Sequence, residues 1–589
     1  MVPQNKNETN QSIRRVRIWY GGLILILAIF GLRLFYVQVI HYNHYKNAAL
    51  SDQLKQYQIP ATRGIIEAHD GDTTLPIVLN QKLYTLYADP AYAKHPEQLA
   101  EKIVPIVGGH AEDYSSLMKT KDTRYVILAK KLSSDQAKKI AALKAPGLGT
   151  QAVDYRTYPQ GSLAAQVLGF VNDNGEGRYG LEQFLNKQLS GTPGELKAIT
   201  DASGVPLAAS KDNIDTAPKD GDTVLLSLDM GLQSQLEAIL KKGVEHAKAP
   251  TATALIMDAN SGAVKAMASY PSYDPAKYYK VSDPKLFSNG AVTDSIEVGS
   301  TMKTLTTAAA LDQGVIKPNT TYYDPSKWKI DGFTITNIEE DGGPGTRNLA
   351  DLLNLSLNTG ATWELMQMGG GEINHKARIA WHNYMVNRYM FGKATGLEQG
   401  YEAEGYVPGP DDNGAGIDLT YANTSFGQAM TATPIQMASA LAAVVNGGTY
   451  YQPHLVEQRT TADGTIIKTK PKVVKQHVVS SAVSQAIIPL MQYVVAHHSF
   501  AQQFDQTNYM VGGKTGTAQI AKPGGGYYDN LFNGTYTGFV GGDKPDYVIV
   551  VFVNKPTVGG YAGSAAAQPI FGDLAHLLIN ESYVTPKHQ

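Results

Sequence analysis

The chain has 589 residues, too many for one hydrophobic core, so we expect two or more domains. The formal net charge is −2, from 51 Lys and Arg against 53 Asp and Glu, and no basic stripe stands out, which argues against a nucleic-acid partner. With no cysteine and no HExxH motif, the sequence offers no disulfide, thiol nucleophile or common metalloprotease centre, and we expect neither a metal nor a cofactor.

The first predicted element is a membrane-spanning helix. Residues 18–32, IWYGGLILILAIFGL, carry no charge, and the apolar character resumes after Arg33 as far as residue 40. At about 1.5 Å per residue, such a helix is long enough to cross a hydrocarbon core of about 30 Å. A cleaved signal peptide is the alternative, but no small-x-small cleavage site ends the apolar run.

The charges around this helix predict its orientation. Four basic residues precede it: Lys6, Arg14, Arg15 and Arg17. By the positive-inside rule, basic residues that flank a membrane helix stay on its cytoplasmic side. The rule predicts a cytoplasmic tail at residues 1–17, a single-pass anchor at residues 18–40, and all later residues outside the cell membrane.

Residues 41–220 form a first exported region. Short apolar runs, such as RYVILA at 124–129, alternate here with Gly and Pro. This punctuation predicts a mixture of strands and short helices.

A second exported region, residues 221–582, begins with a predicted amphipathic helix, DMGLQSQLEAILKKGVEHA. Its apolar side chains at helical spacing are Leu232, Leu236, Ile239 and Leu240. Two apolar runs at 253–258 and 263–269 then flank an Asn-Ser-Gly turn, which predicts a β-hairpin.

Three more strands are predicted near the C-terminus. The segments are GKTGTAQI, TYTGFVGG and YVIVVFVN, and Ala-rich helices such as TPIQMASALAAVVNGG lie before them. Two strands at the front and three at the back predict an α+β domain with a five-stranded antiparallel sheet flanked by helices. Residues 583–589 are predicted to be a tail.

Ser-x-x-Lys occurs four times, so the pattern alone is weak. The four pairs are Ser116/Lys119, Ser282/Lys285, Ser300/Lys303 and Ser326/Lys329. Ser300 differs in context, because it follows Gly299 and begins a long Ala- and Leu-rich run. On a helix, its hydroxyl and the Lys303 amine would share one face. The structural alternative is that Ser300 is only an N-cap residue at the start of a core helix.

Two further motifs occur once each. Ser-x-Asn appears at Ser356-Leu357-Asn358, and Lys-Thr-Gly at residues 514–516. A polar helix junction and a glycine-bearing strand are their structural alternatives. The order Ser-x-x-Lys, Ser-x-Asn, Lys-Thr-Gly is typical of penicillin-binding proteins and class A β-lactamases.

Further motifs extend this similarity over nearly the whole chain. They are RGIIEAHDG, RTYPQGSLAAQVLGFV, GRYGLEQFLNKQLSGTPG, SFGQAMTATPIQMASALAAVVNGG and KTGTAQ. With them, the chain resembles the class B penicillin-binding proteins, and it resembles the division-septum type more than the elongation type, which often has Lys-Ser-Gly and Ser-x-Asp. Two departures are Val298, where proline is usual, and EAHDG, which lacks the usual Asp-Arg pair.

The resemblance implies a serine D,D-transpeptidase that crosslinks peptidoglycan, with residues 41–220 as its pedestal (dimerisation-type) domain and residues 221–582 as its transpeptidase domain. Ser300 would attack the donor stem peptide, and Lys303 would take the proton of the Ser300 hydroxyl. Ser356 would relay a proton between the lysine and the leaving group. Asn358 would hold the peptide and Lys303 in place.

The Lys-Thr-Gly strand would bind the donor. The donor peptide would add to its edge, where Gly516 leaves room for close approach. Lys514, Thr515 and Thr517 would hold the terminal carboxylate, and the N–H groups of Ser300 and Thr517 would hold the oxyanion. Lys514 would also be the second cation that favours a neutral Lys303.

The implied partners are peptidoglycan stem peptides, as D-Ala-D-Ala donor and amine acceptor, with β-lactams as covalent inhibitors. A lipid II-polymerising membrane glycosyltransferase and other division proteins are also implied.

Three alternatives stand beside this prediction. An elongation-type transpeptidase would carry out the same chemistry along the cell's sidewall instead of at the division septum. A β-lactamase shares the three motifs, but it needs neither an anchor nor a pedestal. A non-catalytic β-lactam sensor or division scaffold would be expected to have lost one of the motifs, and all three are intact.

Overall fold

The structure is a computed structural model of the chain, and it describes residues 6–45, 54–199, 214–337, 342–411 and 416–588. Residues 1–5 of the predicted cytoplasmic tail and residue 589 of the predicted C-terminal tail lie outside these ranges. The chain divides into two compact units, one of residues 1–61 with 191–220 and one of residues 62–190 with 221–589.

The strands and helices are numbered in chain order. The strands are β1 (Leu54–Ile59), β2 (Ile66–Asp70), β3 (Thr73–Ala88), β4 (Val126–Leu132), β5 (Leu148–Thr157), β6 (Phe170–Val171), β7 (Gly177–Arg178), β8 (Gly194–Ile199), β9 (Ile214–Thr216), β10 (Thr223–Asp229), β11 (Thr251–Asp258), β12 (Val264–Tyr270), β13 (Thr321–Asp324), β14 (Lys327–Ile330), β15 (Phe333–Thr336), β16 (Gly345–Asn348), β17 (Tyr450–Tyr451), β18 (Val456–Thr460), β19 (Ile466–Lys468), β20 (Val473–Lys475), β21 (Met510–Ala521), β22 (Tyr527–Gly541) and β23 (Pro545–Asn554). The α-helices are α1 (Lys6–Phe35), α2 (Pro96–Val107), α3 (Ala111–Met118), α4 (Ser134–Ala142), α5 (Ala165–Leu168), α6 (Gly180–Phe184), α7 (Asn186–Ser190), α8 (Met230–Ala247), α9 (Gly290–Thr293), α10 (Met302–Asp312), α11 (Leu349–Asn354), α12 (Asn358–Gly369), α13 (His375–Asn383), α14 (Ile417–Ser425), α15 (Pro434–Val445), α16 (Ser481–Ala496) and α17 (Gln568–Asn580). Short 3₁₀ turns are Pro275–Lys280, Pro284–Phe287, Gly299–Thr301 and Ser499–Gln503, and π-helical turns are Tyr36–Ile40, Tyr384–Arg388 and Gly563–Ala567.

The first unit contains the N-terminal helix and a small sheet. Residues 14–40 run from within α1 to the end of the π-helical turn after it, and they contain an 18-residue window with a mean hydropathy of 2.4. The segment is therefore long and apolar enough to cross a membrane. The sheet has three antiparallel strands in the order β1-β8-β9. The helix is therefore consistent with membrane anchoring.

The second unit contains a seven-stranded sheet built from distant parts of the chain. Its order is β19-β18-β10-β2-β3-β4, with β5 also paired to β3. Strand β2 is parallel to β10 and antiparallel to β3. Because this sheet takes strands from both sides of residue 220, the predicted domain boundary at that position stays a prediction.

Three motif segments within residues 41–220 meet at a buried ion cluster. Glu182 is fully buried, and its carboxylate contacts Arg63 Nη2 at 2.5 Å and Arg156 Nε at 2.6 Å. Each of these residues comes from a different motif, RGIIEAHDG, RTYPQG or GRYGLEQF. Charges removed from water need such partners, so the three motifs are tied to each other by electrostatics as well as by packing.

The predicted five-stranded antiparallel sheet is confirmed, in the order β12-β11-β23-β22-β21. Both faces are covered by helices, which explains the unbroken apolar run of β23. Val548, Val550 and Phe552 face the core that contains α10, α15 and α16. Ile549, Val551 and Val553, which alternate with them, face the core of α8 and α17. The structure is thus the predicted α+β fold.

Two features of this domain position the candidate site. Helix α10 lies in the core on one face of the sheet, and its N-terminal end carries the Ser300 motif. Strand β21 carries the Lys-Thr-Gly motif, and among the described strands it pairs only with β22, so it forms an edge of the sheet.

Candidate active site

Ser300 lies on a tight turn that leads into α10. We call residues 297–301 the nucleophile turn, after the role that the sequence predicts for Ser300. Residues 299–301 form a 3₁₀ turn and α10 begins at Met302, so Ser300 precedes the helix instead of capping it. Gly299 has φ +61°, a conformation that favours glycine. Lys303 is fully buried and its Nζ lies 2.9 Å from Ser300 Oγ, as the spacing predicts.

Ser356 lies between two lysine amines. It occupies the junction of α11 and α12, in a left-handed conformation with φ +54°. Lys303 Nζ donates to its carbonyl oxygen at 2.5 Å and to its Oγ at 3.2 Å. Lys514 Nζ donates to the same Oγ at 2.9 Å. The three motifs therefore meet around two hydroxyls and two amines.

Asn358 is the first residue of α12 and is 6% exposed. Its Nδ2 donates to the Thr336 carbonyl at the end of β15, at 3.0 Å. This bond anchors the Ser-x-Asn segment to the β14–β15 hairpin. The predicted contact of Asn358 with Lys303 stays a prediction.

The Lys-Thr-Gly residues occupy the middle of β21. Lys514 is 1% exposed, and its Nζ also donates to the Thr515 carbonyl at 3.1 Å and approaches Thr515 Oγ1 at 3.4 Å. Thr517 Oγ1 accepts a bond from the Gly563 N–H at 2.9 Å. An accepting hydroxyl keeps its own hydrogen for donation, so this bond is compatible with the predicted carboxylate contact.

Gly516 is required by packing inside the protein, a reason that the sequence did not reveal. A Cβ at this position would lie 2.2 Å from Thr535 Oγ1 and 2.6 Å from the Val298 carbonyl oxygen. The space next to Gly516 is thus filled by the nucleophile turn and by β22. Close packing inside the protein requires a glycine here, and the predicted room for the donor peptide at Gly516 stays a prediction.

Two titratable groups, the fully buried Glu364 and the half-buried His498, lie near the amines of Lys303 and Lys514. Burial raises the pKa of Glu364 on α12 to about 8, and the Thr307 hydroxyl donates to its Oε2 at 3.1 Å. Burial, followed by the charge of Lys514, lowers the pKa of His498. Both groups are therefore uncharged at neutral pH.

Sequence reasoning missed the residues that support the nucleophile turn. Thr535 Oγ1 donates to the Val298 carbonyl at 2.7 Å, and the Tyr527 hydroxyl donates to Glu297 Oε1 at 2.9 Å. Glu297 lies three residues before Ser300, so the sequence could have pointed to it. The two donors from β22 are more than 200 positions away in sequence, and no local pattern connects them to Ser300.

Two family models match the chain. The penicillin binding protein transpeptidase domain matches residues 252–576, and the penicillin-binding protein dimerisation domain matches residues 58–226. The first of these spans more than half of the chain.

Relatives and solved structures agree with these matches. Stage V sporulation protein D of Bacillus subtilis is 29% identical, over 96% of this chain and 85% of that protein. The peptidoglycan D,D-transpeptidase FtsI of Escherichia coli is 26% identical, over 97% and 92%. The crystal structure of penicillin binding protein 2X from Streptococcus thermophilus has a TM-score of 0.70 at 23% identity, and the match covers 90% of this chain and 80% of that one. At that identity the likeness supports the fold alone.

The chain therefore belongs to the penicillin-binding protein family, as a class B member of the division-septum type, and is a serine D,D-transpeptidase of peptidoglycan synthesis. Proteins of this family bind peptidoglycan stem peptides and β-lactams. The β-lactamase, sensor and elongation alternatives are not favoured.

Proposed function

We propose that Ser300 is the nucleophile of this transpeptidase and that Lys303 is its base. The observation that carries the proposal is the 2.9 Å contact between Lys303 Nζ and Ser300 Oγ, both in a buried setting. Two buried amines that share one acceptor, as Lys303 and Lys514 share Ser356 Oγ, cannot both hold a charge without a large cost. A neutral Lys303 can then accept the serine proton.

The reaction proceeds through an acyl-enzyme. Ser300 Oγ attacks the carbonyl carbon of the penultimate D-Ala of a donor stem peptide, and its proton passes to Lys303 Nζ. Ser356 Oγ relays a proton to the nitrogen of the terminal D-Ala, which leaves as the C–N bond breaks. An amine of a second stem peptide then attacks the ester carbonyl, the C–O bond to Ser300 breaks as the crosslink forms, and the proton lost by the amine passes to Ser300 Oγ.

The donor peptide adds to the outer edge of β21 as an extra strand. The N–H groups of Ser300 and Thr517 hold the developing oxyanion, and Asn358 holds the donor's peptide group. Lys514 with the Thr515 and Thr517 hydroxyls binds the terminal carboxylate. The edge position of β21 supports this arrangement. So does the close packing of Gly299 against Thr517, since a Cβ built at Gly299 would lie 3.2 Å from Thr517 N.

A fluorescent penicillin tests these roles in the full-length protein in detergent. We expect Ser300→Ala to abolish covalent labelling, and Lys303→Arg, which keeps a charge but cannot act as a base at neutral pH, to slow it by about 10²-fold or more. The matched controls are Ser282→Ala and Lys285→Arg, in an exposed Ser-x-x-Lys pair, and they should label normally. Labelling that persists in Ser300→Ala would exclude Ser300 as the nucleophile.

We propose further that the protein acts at the division septum, anchored by α1 in a single pass with its N-terminus in the cytoplasm. A lipid II-polymerising membrane glycosyltransferase and other division proteins are its expected partners. The names of the relatives and the basic residues before the apolar segment support this assignment. A fluorescent fusion should gather at midcell in dividing cells, and a uniform signal along the sidewall would contradict the septal role.

A further inference from the structure

The nucleophile turn and β21 are held together by side chains of a third element, β22. If the oxyanion lies between the N–H groups of Ser300 and Thr517, as the proposed function has it, one donor comes from the turn and the other from β21. Such donors must lie about 2.7–3.1 Å from the oxyanion, so the relative position of the two segments matters for the rate.

The first connection is made by Thr535. This residue is fully buried and lies directly opposite Gly516 in the β21–β22 ladder. Its Oγ1 donates to the Val298 carbonyl at 2.7 Å, and the same carbonyl accepts from Thr301 Oγ1 at 3.0 Å. A Cβ on Gly516 would lie only 2.2 Å from Thr535 Oγ1, so the absence of a side chain at residue 516 leaves room for this hydrogen bond to pass β21.

The second connection is made by Tyr527, at the start of β22. Its hydroxyl donates to Glu297 Oε1 at 2.9 Å, and the Ala429 N–H donates to the same oxygen at 2.8 Å. The Gly299 N–H donates to the Gly427 carbonyl at 2.9 Å. The nucleophile turn is therefore fixed between β22 on one side and residues 427–429 on the other.

We propose that Thr535 and Tyr527 are positioning residues of the oxyanion hole, whose hydroxyls dock the nucleophile turn on the β21–β22 ladder and so set the separation of the Ser300 and Thr517 N–H groups. Neither hydroxyl needs to touch the donor peptide. Their loss therefore slows acylation and leaves non-covalent binding intact.

Stopped-flow acylation by a penicillin separates an effect on the acylation rate constant from an effect on non-covalent binding, and it can be measured on the full-length protein. Thr535→Val keeps the side-chain shape and removes the donor, and Thr535→Ser restores a hydroxyl. We expect Thr535→Val to lower the acylation rate constant about tenfold, less than the 10²–10³ that loss of an oxyanion donor itself costs, with the Kd of the non-covalent complex within about twofold. Thr535→Ser should stay within about twofold of the wild type in both.

Adjacent tyrosines supply a matched pair for the second connection. Tyr527→Phe should lower the acylation rate constant about three- to tenfold, a partial loss of the same stabilisation. Tyr528→Phe should leave it unchanged, because Tyr528 is 38% exposed and contacts the Lys522 side chain instead.

A boronic acid that forms a tetrahedral adduct with serine gives a second readout. Its affinity should fall in Thr535→Val by the same factor as the acylation rate constant, since both depend on the oxyanion hole. A wild-type rate constant in Thr535→Val, an equal loss in Thr535→Ser, or a change confined to Kd would overturn the inference. Mass spectrometry of the labelled protein keeps this test separate from the proposed function, because Ser300 should remain the acylated residue in every variant.

Discussion

Among single residues, Glu364 of α12 is a fully buried carboxyl with little support from its surroundings. Thr307 donates to Oε2, while Oε1 has no hydrogen-bond partner within the described part of the chain. An ionised carboxylate in such a place would be poorly compensated. Burial accordingly raises its pKa from the ordinary 4.5 to about 8, so the folded protein keeps a proton there at neutral pH and the unfolded chain does not.

Glu364 is expected to make stability depend on pH. Between about pH 4.5 and pH 8 the folded state binds more protons at this site than the unfolded state, so the free energy of unfolding falls as the pH rises. Glu364→Gln removes this titration. We expect the wild type to lose about 3 kcal/mol more than Glu364→Gln between pH 5 and pH 7.5.

Urea unfolding of the full-length protein at the two pH values measures this difference. Glu372→Gln, a change of the same chemistry at an exposed position, should follow the wild type. Equal pH dependence in the wild type and Glu364→Gln would show that residue 364 is already ionised in the folded protein.

At the scale of elements, the contact between the nucleophile turn and β21 depends on the absence of a side chain at residue 516. A Cβ there would meet the Val298 carbonyl, which is backbone and cannot rotate away. We expect Gly516→Ala to cost about 1–3 kcal/mol of stability through overpacking and to slow acylation more than tenfold by separating the two segments.

Gly559→Ala is the matched control for this change. No atom lies within 4 Å of a Cβ built at Gly559. Thermal unfolding and penicillin acylation of the two variants make the comparison. If Gly516→Ala acylates as fast as Gly559→Ala, the packing at residue 516 does not set the geometry of the site.

The sequence predicted those elements that local patterns encode. The hairpin of β11 and β12 follows from two apolar runs around a turn, and β23 follows from its continuous apolar character. Helix α8 was predicted by apolar spacing, and in the structure the Asp229 side chain caps its N-terminus. In each case the signal lies within about 20 residues.

Other features depend on contacts between distant segments. The left-handed conformation of Ser356 is imposed where α11 and α12 join, and serine has no strong preference for it. The edge position of β21 follows from the order of all five strands, and the Thr535–Val298 bond joins residues 237 positions apart. The motifs identified which residues meet, and tertiary packing decides how.

At the scale of the whole molecule, the cluster of Arg63, Arg156 and Glu182 joins residues that lie 93 and 26 positions apart in sequence. Arg156 is 3% exposed and Arg63 is 11% exposed in their side chains, so water does little to screen them. Glu182 is the shared carboxylate, and its removal would leave two guanidinium groups buried without that counter-charge.

Glu182→Ala is therefore expected to destabilise the folded protein by about 3–5 kcal/mol. The matched control is Glu176→Ala, because Glu176 also contacts an arginine at 2.6 Å, but both side chains of that pair are more than half exposed. Because water screens such a surface pair, its loss should leave the stability nearly unchanged. Thermal unfolding of the full-length protein compares the two, and the penicillin acylation rate per folded molecule should stay at the wild-type value in both. Similar shifts in the unfolding midpoint would mean that the cluster is no stronger than a surface pair, and that apolar packing alone holds the three motif segments together.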